Sequence, residues 1–391
     1  MKLSALLLTL LFLTGCVYTK QYQEPVPQPK AEAPTNLKSR GVSSPQKHAL
    51  IKKEATHSKI FYDNRNHTIV DILYGTDRKD TSSKNLNTRY GQGKDVLQFG
   101  IAQVSIPKTH TFGEIERPGF IESETVGEHV MLTTLEGIKE EAFISTLASK
   151  LAHVSEKDVF VFIHGFNVSF ASALRRTAQM SYDLTFKGIP MTYSWPSQGE
   201  VGRYMQDETS VQYTVPHLVA FLQTIIEHKG DANLHVLGHS MGTRALTAAL
   251  KELSYIYPKQ HIFKNVILAA PDIDKDVFRV SLLPYIIKTT EQITLYASSD
   301  DSALQLSNSL HNGGRVGEGG RNIFLYQGLN SIDASGVDTS LLGHSYFAEK
   351  EILMNDLKDV VESSLAPSQR KSLVETVKNK ISYWKFKFGM Q

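Results

Sequence analysis

The chain has 391 residues, 41% of them apolar, with a formal net charge of +2 at pH 7 and a single cysteine. That length suits one large domain with extensions better than several small ones. The near-neutral charge gives no sign of a nucleic-acid partner or a strongly acidic substrate, and one cysteine excludes an intramolecular disulfide.

Met1-Lys2 followed by the apolar run Leu3 to Leu13 has the form of a secretion signal, too short in its hydrophobic core to span a bilayer as a stable helix. It ends in Leu13-Thr14-Gly15-Cys16, which resembles the bacterial lipobox. The resemblance implies removal of residues 1–15, acylation of Cys16 and a site of action at the bacterial cell envelope, on the outer membrane facing the periplasm. Several acyl chains, at ~0.8 kcal/mol per buried methylene, would hold the protein there almost permanently. Residues 16–60, with Pro25, Pro27, Pro29, Pro34 and Pro45 among Gln, Glu, Lys and Ser, read as a disordered tether with a reach of roughly 35 Å.

Order is expected over 61–365. Thr68–Tyr74, Val96–Ile106 and Val130–Leu135 are rich in β-branched and aromatic residues and are predicted as antiparallel strands. A predicted helix over Lys139–Leu151 opens a series of alternating strands and helices: Val159–Ile163, Ala171–Thr185, Ile189–Trp195, Tyr213–His228, Leu234–Leu237, Thr243–Leu253, Val266–Ala270, Ile293–Ala297, Asp301–Leu310 and Ile323–Tyr326. Such alternation implies an α/β fold, a mostly parallel sheet with helices on both faces. In 366–391, Leu373, Val377, Ile381, Trp384 and Phe388 recur at helical spacing among basic residues, predicting an amphipathic helix that docks either on the domain or on the membrane surface.

Chemistry is concentrated around Gly238-His239-Ser240-Met241-Gly242, a G-x-S-x-G turn between a predicted strand and a predicted helix. This pattern marks a nucleophile elbow, in which flanking glycines let strand and helix pack while the serine hydroxyl is held up from the sheet edge. Serine needs a base, an acid to orient that base, and donors for the oxyanion. Four acids follow later strands: Asp272 and Asp274 after one, Asp300 and Asp301 after the next. The later pair occupies the more usual position, and Asp301, which opens a helical run, is preferred over Asp300. For the base, His344 in the long loop after the last predicted strand is preferred over His311, which a helix end explains without catalysis. His164-Gly165-Phe166-Asn167, directly after the apolar run VFVFI, resembles the HG-type turn of hydrolases and is the candidate oxyanion hole, through the backbone N–H of Phe166 together with that of Met241. Ser194, Trp195, Pro196, Ser197 and Tyr204 are candidates for the pocket wall, or for the core in the case of Trp195.

HGFN, YSWPSQG with Tyr204 and Asp207, GHSMGTRAL, LAAPDID, YASSDDSALQLS and GHSYF, preceded by YGTDRK and VSIPKTH, together resemble a bacterial α/β-hydrolase family of unknown function over roughly Ile69 to Phe347. The resemblance implies the α/β-hydrolase fold and a triad of Ser240, Asp301 and His344, with Asp300 an extra acid that keeps the choice of carboxylate open. It implies little about substrate.

No metal is expected: His235 and His239 are four apart, but on a strand and its turn, where that spacing does not bring two rings to one face. No cofactor is expected either, because the glycine-rich run 313–321 lacks G-x-x-x-x-G-K-[ST] and reads as a connection. The expected function is a membrane-anchored serine hydrolase acting on an ester, thioester or amide of a small-molecule or lipid-like acyl substrate, a carboxylic ester first among these. Its alternative is a non-catalytic envelope lipoprotein that uses the fold as a binding or assembly module. Nothing in the sequence sets an oligomeric state.

Overall fold

The computed structural model describes residues 61–64, 66–119, 122–258, 260–300, 307, 313–337 and 347–387. Cys16 and the tether, Asp301, His311 and His344 lie outside the described residues.

The strands are β1 (Phe61–Asp63), β2 (His67–Asp80), β3 (Tyr90–Pro107), β4 (Met131–Ile138), β5 (Asp158–Ile163), β6 (Ile189–Ser194), β7 (Asn233–His239), β8 (Phe263–Ala269), β9 (Thr290–Ala297), β10 (Asn330–Asp333), β11 (Leu373–Lys378) and β12 (Ile381–Phe386). They form one sheet ordered β11-β12-β10-β9-β8-β7-β5-β6-β2-β3-β4, with β1 beside β2. Pairing from β12 through β10, β9, β8, β7, β5 and β6 to β2 is parallel. Both ends are antiparallel: β1, β3 and β4 on one side, β11 on the other.

The apolar run in β5 serves two cores at once. Val159, Val161 and Ile163 join one hydrophobic cluster, while Phe160 and Phe162 join a second on the opposite face. Neighbouring strands repeat this division, with Val236 and Leu268 facing the first cluster and Leu237 and Ile267 the second. A strand buried on both faces has no polar side, which is why it reads as continuous rather than alternating. On the first face pack α1 (Glu140–His153), α4 (Val215–His228) and α5 (Gly242–Ile256), through residues such as Phe143, Phe221 and Leu246. The second face receives Leu357 and Val360 of α6 (Phe347–Ser363) and Met180 of α2 (Phe170–Asp183). This is the expected α/β architecture.

The helix expected over Tyr213–His228 is α4, and a separate helix, α3 (Tyr204–Tyr213), precedes it across Thr214. Two expectations are corrected. Ile323–Tyr326 is not a strand; the sheet instead takes up Asn330–Asp333 after a turn at Gly320–Asn322. The expected C-terminal helix over 366–391 is a β-hairpin, and it belongs to the sheet rather than standing apart from it. Asn379 and Lys380 both have positive φ, 53° and 65°, the two-residue turn geometry that matches strand twist. Leu373, Tyr383 and Phe386 point inward, with Phe386 stacked on Tyr296, whereas Val377 is exposed.

The hairpin is held at its base by an ion pair. Arg370 Nη1 lies 3.1 Å from Asp356 Oδ2, both side chains fully buried, and Ser372 Oγ and Tyr296 OH also donate to Asp356. Removing one partner of a buried pair strands the other charge, so Asp356→Ala is expected to cost about 3–5 kcal/mol in chemical denaturation.

A second clamp lies between β3 and β4. Both ring nitrogens of His110 face carboxylates, Nδ1 at 2.8 Å from Glu116 and Nε2 at 2.9 Å from Asp183 at the end of α2. Burial alone would lower its pKa, but Asp183 and then Glu116 outweigh burial and push it up to about 9. Because the folded value exceeds the unfolded one, the stabilisation is complete below about pH 6.5 and is lost as pH rises through about 9. Melting temperatures should therefore fall between pH 7 and pH 10, with a smaller fall in His110→Gln; equal slopes would contradict the clamp.

Candidate active site

Ser240 stands at the carboxyl end of β7, between the strand and α5, where open parallel sheets place their ligands. Its φ is +48°, a left-handed conformation that a non-glycine residue adopts at a cost of about 1–3 kcal/mol, which the surroundings must offset. Three sets of bonds do so. The Ser240 N–H donates to Ala269 O at 2.9 Å, and Thr243 donates to Ser240 O through both its N–H (3.0 Å) and its hydroxyl (2.6 Å). The Asp272 N–H approaches the same carbonyl at 3.4 Å. These bonds fix the backbone, and among the described residues none is made by Ser240 Oγ.

HGFN lies directly against this turn. A Cβ built at Gly242 would come within 2.1 Å of His164 O, and one at Gly165 within 3.0 Å of Ser240 Cβ. Glycine at both positions is what lets the two segments touch. Asn167 is itself at φ +59°, so the loop carrying Phe166 turns sharply at the elbow. Phe166 packs edge-on against Tyr204, with ring centroids 5.3 Å apart. Met241, whose N–H opens α5, is fully buried. Gly242→Ala must therefore shift backbone against backbone. We expect it to cost about 1–3 kcal/mol and to displace HGFN, whereas Gly238→Ala, which meets the end of the Leu246 side chain at 3.0 Å, should be milder in the same melting assay.

Trp195 belongs to the core and not to a pocket wall. It is fully buried, stacks on His164 with centroids 5.1 Å apart, and donates its indole N–H to His164 O at 2.7 Å. Ser197 bridges the next turn, accepting from the Val168 N–H and donating to Asp207 Oδ2 at 2.6 Å. His164 is held neutral: burial first, and then the charge of Arg78, keep its pKa well below the usual range.

The described acids near the elbow are all engaged. Asp272 is buried and accepts from Tyr204 OH (2.5 Å), Ser307 Oγ (2.5 Å) and Arg244 Nη2 (3.0 Å), with Arg315 Nε at 3.5 Å. Asp274 caps a short helical turn through the N–H groups of Asp276 and Val277. Asp300 accepts from Ser299 Oγ and from the Gly336 N–H at 2.7 Å. Sequence reasoning missed this arginine network: Arg244, in the first turn of α5, also bonds Glu208 at 2.6 Å and so ties α3 to the elbow helix. The glycine-rich run is likewise more than a connection, since the N–H groups of Val316 and Gly317 donate to Ile273 O and Pro271 O and pack it along the segment that follows β8.

A cavity of about 890 Å³, lined by Phe61, His110, Phe112, Val154 and Tyr182 among others, opens at the other end of the sheet, where the parallel strands begin, and takes no part in this site. Among the described residues no group of His, Cys, Asp and Glu is arranged to hold a metal.

Comparison with a protein-family model gives the same fold. Residues 139–361, more than half of the chain, match the model of a family described as an α/β hydrolase of unknown function (DUF900). An uncharacterized protein of Nostoc sp. is 26% identical in an alignment of 122 residues that covers 25% of this chain and about a third (32%) of that relative's length. Among solved structures, a cold-adapted esterase from an Arctic intertidal metagenomic library aligns with 12% identity and a TM-score of 0.36, over 77% of this chain and 97% of that one. MenH from S. aureus aligns with 14% identity and a TM-score of 0.28, over 54% of this chain and 94% of that one. With Ser240 on a strained turn at the end of the central strand and the family model running through the whole βα series, the chain belongs to this α/β-hydrolase family of unknown function.

Proposed function

We propose that the protein is a serine hydrolase that cleaves a carboxylic ester, or a thioester or amide, through an acyl-enzyme. One observation carries the reading: the HGFN loop touches the strained Ser240 turn backbone to backbone, the approach an oxyanion hole requires. In this mechanism His344 takes the proton from Ser240 Oγ as the oxygen attacks the substrate carbonyl carbon. The resulting oxyanion accepts from the N–H groups of Phe166 and Met241, and His344 then protonates the leaving group. Water, activated by the same imidazole, releases the acid and regenerates Ser240. Asp301 orients His344; the prior engagement of Asp272, Asp274 and Asp300 supports that choice.

Acylation of Cys16 would hold this chemistry at the bacterial envelope, with residues 16–60 as the tether. No described helix is long and apolar enough to cross a membrane. Residues 373–386 form a sheet hairpin instead of the expected amphipathic helix, so they offer the non-catalytic reading no helical face for a membrane or assembly partner. The two readings part on a panel of p-nitrophenyl esters and anilides of varied acyl length, assayed with the wild type and with Ser240→Ala. Ester turnover confined to the wild type is expected. No turnover on any member, together with full complementation of a deletion strain by Ser240→Ala, would overturn the catalytic reading.

A further inference from the structure

Arg78, in the YGTDRK stretch of β2, is a guanidinium with 1% exposure and no carboxylate among its hydrogen-bond partners. Its five N–H groups meet five acceptors. Nε donates to Ser194 Oγ (2.9 Å), Nη1 to Gly91 O (3.1 Å) and Ser197 O (2.9 Å), and Nη2 to Val168 O (2.7 Å) and His164 Nε2 (3.4 Å). The proton positions follow. His164 Nδ1–H donates to Gly165 O at 2.8 Å, which leaves Nε2 to accept from Arg78 and from Ser194 Oγ at 3.1 Å.

Burying a cation is costly, and neutral carbonyls and hydroxyls offset that only if every donor is used. Burial lowers the guanidinium pKa to about 10, with Asp77 and Asp207 pulling the other way, so it stays charged at neutral pH. If all this side chain did were to fill space, an apolar residue would serve at less expense. What the fork does is bridge the first and last turns of the HGFN loop, His164 and Val168, to β3 and to the turn after β6. Gly165, Phe166 and Asn167 lie between those two anchor points.

We infer that Arg78 is the positioning residue that holds the Phe166 N–H at the elbow, clamping both ends of the HGFN loop with a single planar guanidinium. Lysine cannot reproduce this, having one nitrogen to set against five acceptors. The inference rests on the proposed oxyanion role of Phe166, and its test separates the two.

The experiment uses the full chain as Arg78→Met and Arg78→Lys. It follows the second-order rate of Ser240 labelling by a fluorophosphonate, kcat and KM on p-nitrophenyl acetate, hydrogen exchange of the 164–168 amides, and the melting transition. In folded Arg78→Met, labelling and kcat are expected to fall on the order of 10²-fold, the loss typical of one oxyanion donor, with KM within about 2-fold of wild type. Exchange at 164–168 should rise, and Arg78→Lys should be intermediate in both. Should Arg78→Met not fold, Arg78→Lys alone decides, by the same split between kcat and KM and the same exchange. Unchanged kcat and exchange in a folded variant, or losses that track only the folded fraction, overturn the inference. Should the wild type itself be neither labelled nor active, the hydrolase reading fails, and exchange at 164–168 still decides the positioning role: faster in the variants supports it, unchanged refutes it.

Discussion

Ser240→Ala and His344→Ala are each expected to lower ester turnover by about a millionfold, and the double variant to be no slower than either single one. Nucleophile and base act as a unit, so that once one is gone the other has nothing left to do; in well-studied serine hydrolases single and combined removals cost about the same. Residual rate above water would come from the oxyanion donors and from binding, which neither change touches. Because Ser240 is held through its backbone N–H and carbonyl, which alanine keeps, the substitution should leave the melting temperature almost unaltered. A drop in activity that follows a drop in folded protein would point to a structural role instead. Additive losses in the double variant would mean that Ser240 and His344 do not share a step.

The second large effect concerns the acid. Asp301→Asn is expected to reduce kcat by about 10⁴-fold, because an amide in place of the carboxylate favours the wrong imidazole tautomer. Asp300→Asn should cost far less. Its Oδ2 is occupied by the Gly336 N–H and its Oδ1 by Ser299, so it secures the turn after β9. Asp272→Ala should show itself in stability, through the loss of four partners: Tyr204 on α3, Arg244 on α5, Arg315 on the glycine-rich run, and Ser307. If Asp300→Asn proves the more damaging of the neighbouring pair, the assignment passes to Asp300.

Much of the fold was legible because a strand buried on both faces leaves a distinctive mark. VFVFI and its neighbours have no polar side to break the run, and helices alternate between them. The elbow was legible for a different reason: Gly238 and Gly242 are demanded by contacts as close as 2.1 Å, and so the pattern carries geometry. The C-terminal hairpin was misread because Leu373, Val377, Ile381 and Trp384, three or four apart, satisfy a helical period while falling on two short strands. The signal that separates the two is Asn379-Lys380, a turn-forming pair between β-branched and aromatic residues. The arginine clamps had no such signal. Arg78 and Arg244 fall within stretches that carry the family resemblance, but nothing local assigns them partners; the convergence of segments far apart in the chain does so, burying Arg78 and Arg315 and half-burying Arg244.

The central claim is that Ser240 is a nucleophile. Purified full-length protein treated with a fluorophosphonate probe and mapped by peptide mass spectrometry should carry one adduct, on the peptide containing Ser240, and Ser240→Ala should carry none. An unlabelled wild type under conditions that modify a control serine hydrolase, or an adduct on another residue that persists in Ser240→Ala, would contradict it.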